Sequence, residues 1–336
     1  MSDFGAVILG CAGPVLSDEE ISLFSGTRPF GFILFDRNLR NADQIRALCD
    51  ELRAAAGHDA PIFIDQEGGR VQRLRSPLAR SWAPPLEDAG AEDTERRFYV
   101  RGRLIAHELR ALGIDGNCVP TLDIARPDTH PVLRNRCYGA DRDSVIRNGR
   151  ALVTGCRDGG VLPVMKHMPG HGRGTLDSHL DLPRVSTLKS VLSNEDFATF
   201  AAFADLPLGM SAHLVFEDID PRPATLSPVM IRLIRDEIGF DGLLMTDDIS
   251  MQALSGSVAE RGRAAQDAGC DVILHCNGDL SEMRELCETV GVMDSAAQRR
   301  AERALAARTA PRPVDIDGLR AEADAFFVQD LRPDPA

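Results

Sequence analysis

Tryptophan and tyrosine are nearly absent from this 336-residue chain, where Trp82, Tyr99 and Tyr138 are the only ones. A broad ring-stacking platform for a long polymer cannot be built from three such residues. No apolar run approaches the roughly 20 residues that a bilayer-spanning helix requires, so no membrane span is expected. Positive charge is also in deficit. The balance of 38 Lys and Arg against 51 Asp and Glu leaves a net charge of −13, which argues against nucleic acid or an anionic membrane as partner. The eight cysteines (11, 49, 118, 137, 156, 270, 276 and 287) contain no Cys-x-x-Cys pair, and several fall in apolar runs. That pattern excludes a zinc ribbon and a disulfide framework, and it predicts buried free thiols in a cytoplasmic protein. The start, Met-Ser-Asp-Phe-Gly before Ala-Val-Ile-Leu-Gly, lacks a basic n-region and reads as a first strand instead of a signal peptide. No Gly/Ser linker or shift in composition divides the middle of the chain.

What is present is alternation. Strand candidates fall at 6–9, 30–35, 61–64, 116–122, 161–165, 207–211, 242–246 and 271–274, with amphipathic helical patterns between most of them. The clearest helices are 41–56, 91–112, 142–158 and 257–268, the first with Asn41 and Asp43 as a polar start. Eight strands alternating with helices predict an α/β fold, a single-domain TIM-like (β/α)8 barrel. The barrel is expected over 1–310, with a C-terminal helix and tail over 311–336. In such barrels chemistry collects at the carboxyl ends of the strands. Applied here, that rule gathers Asp65, Arg70 and Arg73, then Asp123, Arg134 and Arg136, then Lys166 and His167, then His213, and finally Asp247 and Asp248.

The stretch from Met165 to Pro183 carries three histidines, a lysine and two aspartates around Gly170, Gly172 and Gly174, directly after an apolar run. Core packing does not call for that mixture. Asp177 and His179 are two residues apart, a spacing that puts both side chains on one face of an extended segment. A carboxylate holding one imidazole nitrogen makes the ring a usable proton donor and acceptor. His167, His171 and His179 also admit a metal reading, although Pro169 and Gly170 break the helix that His167-x3-His171 needs. A phosphate cradle lacks the Gly-Lys-Ser/Thr ending. The glycines are read as giving a long loop freedom to fold over a ligand, a hinge between two half-sites.

Asp247-Asp248 follows an apolar strand. The pair reads either as a helix N-cap or as a carboxylate placed against an electron-poor carbon, and the pattern does not choose between its two members. Asp65 with Arg70 and Arg73 around Gly68-Gly69 has the donors and acceptors of a hydroxyl-binding clamp.

These blocks occur together. Asp-Gln-Glu-Gly-Gly-Arg-Val-Gln-Arg (65–73), Lys-His-Met-Pro-Gly-His-Gly (166–172), Asp-Ser-His (177–179), Met-Ser-Ala-His (210–213), Pro-Ala-Thr-Leu-Ser (223–227) and Thr-Asp-Asp-Ile-Ser-Met (246–251) stand in order. The set resembles glycoside hydrolase family 3, specifically its single-domain NagZ-type β-N-acetylhexosaminidases, over roughly residues 5–300. The resemblance implies a retaining, two-step reaction with no metal and no cofactor. It implies Asp247 as nucleophile, His179 as general acid/base and Asp177 as the residue orienting it. Asp65, Arg73, Arg136, Lys166 and His167 correspond to the residues around the non-reducing sugar. Its implied task is release of terminal N-acetylglucosamine (GlcNAc) from small peptidoglycan fragments (muropeptides) during cell-wall recycling. Two departures stand out: Met168 replaces the usual Phe, and Arg134 and Asn135 alter charge beside Arg136. A phosphorylase with the same residues, and a non-catalytic amino-sugar sensor on the same barrel, are the competing readings.

Overall fold

The computed structural model describes residues 3–176 and 182–330, with side chains as far as 326. Asp177 and His179 therefore lie outside the described residues. Among the described residues, eight short strands pair in parallel: β1 Gly5–Gly10, β2 Pro29–Leu34, β3 Ile62–Ile64, β4 Gly116–Asn117, β5 Leu162–Met168, β6 Leu208–Ser211, β7 Leu243–Met245 and β8 Ile273–His275. Each pairs with its neighbour in sequence, β1 also pairs with β8, and a bridge between Met245 and Val272 closes the ring. The result is a TIM-like (β/α)8 barrel. Its strands are buried almost throughout, as parallel strands covered by helices must be.

The helices form where caps and apolar spacing coincide. In Ala42–Ala56, the side chain of Asn41 accepts the Gln44 N–H at 3.0 Å, and Gly57 closes the far end in the left-handed conformation. Ile45, Leu48, Cys49, Leu52 and Ala56 recur every three or four residues and face the strands. Burying each large side chain contributes about 1.5–3 kcal/mol. All eight cysteines are buried free thiols.

Two strands differ from the expectation. The fourth is a two-residue pairing because Pro120 has no N–H to donate; Thr121 then rejoins the sheet through a bridge to Lys166. The fifth runs three residues further than expected, through Lys166 and His167 to Met168. A helix at Ile316–Asp330 packs Leu319 and Ala323 onto Val100 and Leu104 of the helix Thr94–Ala111. At the amino ends of the strands, buried Asp115 accepts from the Ile62 N–H at 2.8 Å and pairs with Arg53 at 3.2 Å and Arg308 at 3.1 Å. No helix among the described residues is long and apolar enough to cross a membrane.

Candidate active site

The carboxyl ends of the strands surround a cavity of about 380 Å³. Asp65, Arg73, Arg136, Lys166, His167 and Asp247, drawn from segments far apart in sequence, all line it.

Asp65 follows β3. One carboxylate oxygen meets Lys166 Nζ at 2.9 Å and the other meets Arg73 Nη2 at 3.2 Å. Burial alone raises a carboxyl pKa, but Lys166 and Arg73 outweigh it and hold Asp65 well below the usual range. Arg70, grouped with this pair on sequence, stands apart: it is exposed at the cavity, and the second cation on Asp65 is Lys166. The clamp closes across the barrel, between β3 and β5, and not within one turn.

Glu67, two residues on, completes the arrangement. Its buried carboxylate takes two hydrogen bonds from Arg136, at 2.9 and 2.7 Å, and pairs with Lys166 at 2.6 Å. Arg136 is thus held in a bidentate fork at the cavity wall. Lys166 is one of only two lysines in the chain. Its compact ammonium bridges Asp65 and Glu67. Glu67 carried no assignment in the sequence, yet the spacing rule that pairs Asp177 with His179 also places Asp65 and Glu67 on one face.

Lys166 and His167 are consecutive in β5, and side chains of a regular strand alternate between faces. The strand is not regular here: the register of β5 against β6 shifts between Met165 and Met168, and both residues line the cavity. His167 Nδ1 lies 2.8 Å from Asp123, and its Nε2 lies 3.4 Å from Arg136 Nη2. Guanidinium only donates, so Nε2 accepts and Nδ1 carries the proton to Asp123. Asp123 also accepts the His171 N–H at 2.6 Å. The His171 ring stands edge-on to His167, with centroids 5.6 Å apart. Burial, with His167 beside it, lowers the His171 pKa to about 4.

The glycines after Pro169, expected as a hinge, are closely packed. His171, Gly172 and Gly174 are buried. The Gly172 carbonyl accepts from the Thr129 hydroxyl, and that of Gly174 from the His130 N–H at 3.1 Å. A Cβ on Gly172 would lie 2.4 Å from the Ile124 carbonyl oxygen, so glycine is required for close approach of two backbones. Arg173 is tied at 2.7 Å to both Glu195 and Asp196.

Both members of the aspartate pair after β7 line the cavity, and they divide by hydrogen bonding. Asp248 uses one oxygen for the N–H groups of Ser250 and Cys276, both at 3.1 Å, and the other for the Ser250 hydroxyl at 2.7 Å. No helix begins there; the next starts at Val258, capped by Ser257. Asp247 lines the cavity, where one of its oxygens accepts the Asp248 N–H at 2.9 Å. Burial opposes its ionisation, but His167, His213, the Asp248 amide and Lys166 prevail and hold its pKa below the ordinary value. The cavity thus presents an ionised carboxylate opposite a clamp with hydroxyl-binding donors and acceptors. Among the described residues no group of His, Cys, Asp and Glu is arranged to hold a metal ion.

Comparison with known proteins agrees with this arrangement. A β-hexosaminidase from Alkalilimnicola ehrlichii is 39% identical over 282 residues, covering 81% of each chain. One from Methylococcus capsulatus is 35% identical over 325 residues, covering 93% of this chain and 94% of the relative. The crystal structure of NagZ from Neisseria gonorrhoeae in complex with N-trifluoroacetyl-D-glucosamine superposes with a TM-score of 0.83 at 30% identity, covering 98% of this chain and 96% of that one. The model of the glycosyl hydrolase family 3 N-terminal domain matches residues 17–307. The chain belongs to glycosyl hydrolase family 3, and it is a glycoside hydrolase.

Proposed function

We propose that the protein is a retaining exo-β-N-acetylglucosaminidase that removes terminal non-reducing GlcNAc from small peptidoglycan fragments. The observation that carries this reading is the division of labour after β7: both aspartates line the cavity, but the two carboxylate oxygens of Asp248 are taken up by Ser250 and Cys276, while Asp247 accepts only the neighbouring Asp248 N–H and stays ionised. In this reading Asp65, Arg73, Arg136, Lys166 and His167 hold the sugar hydroxyls and acetamido group. Asp247 attacks the anomeric carbon, and the protonated imidazole of His179 gives its proton to the leaving oxygen. The bond to the aglycone breaks as the Asp247 ester forms. Neutral His179 then takes a proton from water, which attacks the same carbon and releases Asp247. Asp177 holds the imidazole in the required tautomer. A His–Asp pair thereby replaces one of the two carboxylates of a usual retaining enzyme. The absence of aromatic platforms suits a short substrate, and the cytoplasmic recycling of imported wall fragments is the setting proposed for it.

Hydrolysis of a chromogenic β-GlcNAc glycoside tests the reading. Wild type turns over, Asp247→Asn loses about 10⁴-fold in kcat, and His179→Ala loses about 10²–10⁴-fold with a poor leaving group and much less with an activated one. GlcNAc-1-phosphate as the main product in phosphate buffer would replace hydrolase with phosphorylase. Tight GlcNAc binding without turnover above that of Asp247→Asn would make the protein a sensor.

A further inference from the structure

Two of the sequence blocks, Met-Ser-Ala-His (210–213) and Pro-Ala-Thr-Leu-Ser (223–227), play no part in the cavity contacts described so far, apart from Met210 in its wall. The structure brings them together beneath Asp247. His213 follows β6 and is fully buried. Its Nδ1 lies 2.9 Å from the Thr225 hydroxyl, and its Nε2 lies 3.0 Å from the Asp248 carbonyl oxygen. Thr225 sits on the 3₁₀ turn Ala224–Leu226, and its hydroxyl is in turn 2.8 Å from that of Ser211.

Donor and acceptor chemistry gives this chain one direction. A carbonyl oxygen only accepts, so Nε2 of His213 must carry a proton. Burial favours the ring with a single proton, which leaves Nδ1 as an acceptor. The Thr225 hydroxyl is the donor within reach. The Ala212 carbonyl, 3.0 Å away, competes for that proton, but giving it up would leave a buried imidazole nitrogen without a partner. Ser211 then donates to Thr225. Hydrogen bonds run from Ser211 to Thr225 to His213 and end on the backbone of Asp248.

From this we infer that His213 is a positioning residue for Asp247, acting through the backbone of Asp248. Asp248 is gripped on both sides of its Cα: by His213 at its carbonyl, and by Ser250 and Cys276 at its carboxylate. Its remaining polar group, the N–H, is the one that Asp247 accepts. The orientation of the Asp247 carboxylate is therefore inherited from a residue held by three strand ends, those of β6, β7 and β8. The inference rests on the reading of Asp247 as nucleophile.

Paired substitutions separate positioning from structure. The side-chain amide of His213→Gln places a donor where Nε2 stands, whereas His213→Asn is too short to reach the Asp248 carbonyl. Positioning predicts that His213→Asn loses about 10²-fold in kcat on a chromogenic β-GlcNAc glycoside, the scale of a misplacement near 1 Å. Its inhibition constant for GlcNAc stays within about threefold of wild type, because the clamp residues lie on other strands. His213→Gln recovers most of the lost kcat. Equal losses in both variants, or a parallel loss of GlcNAc affinity, would overturn the inference. If His213→Asn does not fold, Thr225→Val, which removes the donor to Nδ1 at nearly constant volume, takes its place with the same expectation of lost kcat and retained GlcNAc inhibition. Asp247→Asn is run alongside. Wild-type turnover in that variant would remove the reading of Asp247 itself, whereas wild-type kcat in His213→Asn beside an inactive Asp247→Asn defeats the positioning inference alone.

Discussion

His171 shows how the site spends stability at the level of single residues. Its ring is buried against His167, and its folded pKa near 4 compares with 6.5 for a free imidazole. Between those values the unfolded chain binds a proton that the folded protein refuses. Stability therefore falls as pH drops from about 6.5 to 4 and this contribution levels off below. The lowered carboxyls of Asp65, Glu67 and Asp123 act in the lower range: their contribution is complete above the ordinary carboxylate pKa and is lost as pH falls through their folded values. Urea unfolding at pH 7, 6, 5 and 4 checks the first term. His171→Gln is expected to lose less stability over that window than wild type, and equal slopes would contradict the assignment. Most of the clamp is legible in the sequence, but Arg70, grouped there with Asp65, is replaced in the fold by Lys166, and Glu67 joins them. Arg70 is nearer Asp65 in sequence than Lys166 is, but only the barrel's closure brings β5 beside Asp65. Glu67 went unassigned because an acid in a Gly-rich turn has an ordinary surface explanation, and its burial depends on Arg136 and Lys166 arriving from elsewhere.

Elements were legible wherever one periodicity and one cap agreed, as in Ala42–Ala56 and Val258–Ala268. They were less so where backbone geometry is decided by a neighbour. The irregular stretch of β5 from which Lys166 and His167 both reach the cavity lies where its register shifts against β6, and no local pattern announces it. The turn after Pro169 is the clearest reversal. Three glycines in five residues suggest freedom, yet the contacts around Gly172 show that they permit close packing on Ile124. Gly172→Ala is accordingly expected to destabilise by about 1–3 kcal/mol, read from the urea midpoint. A hinge would instead give unchanged stability with altered turnover.

At the scale of the molecule, the barrel separates chemistry from structure by end. Its carboxyl end holds the cavity, and its amino end holds ion pairs such as Asp115 with Arg53 and Arg308. Asp115→Asn should cost about 1–3 kcal/mol by leaving the half-buried guanidinium groups of Arg53 and Arg308 short of charge, with kcat/KM of the folded enzyme unchanged. Coincident loss of both would show the two ends to be coupled. The alternation of eight strands made this architecture readable from sequence, since consecutive parallel neighbours leave few other ways to close. In the proposed reaction Asp247 forms a covalent bond to the sugar. Intact mass spectrometry after reaction with a fluorinated glycosyl donor that slows the second step tests it most directly. The expected result is a single glycosyl adduct that maps to the peptide containing Asp247 and is absent in Asp247→Asn. An enzyme that hydrolyses the chromogenic glycoside yet accumulates no adduct, or carries it on Asp248, would contradict it.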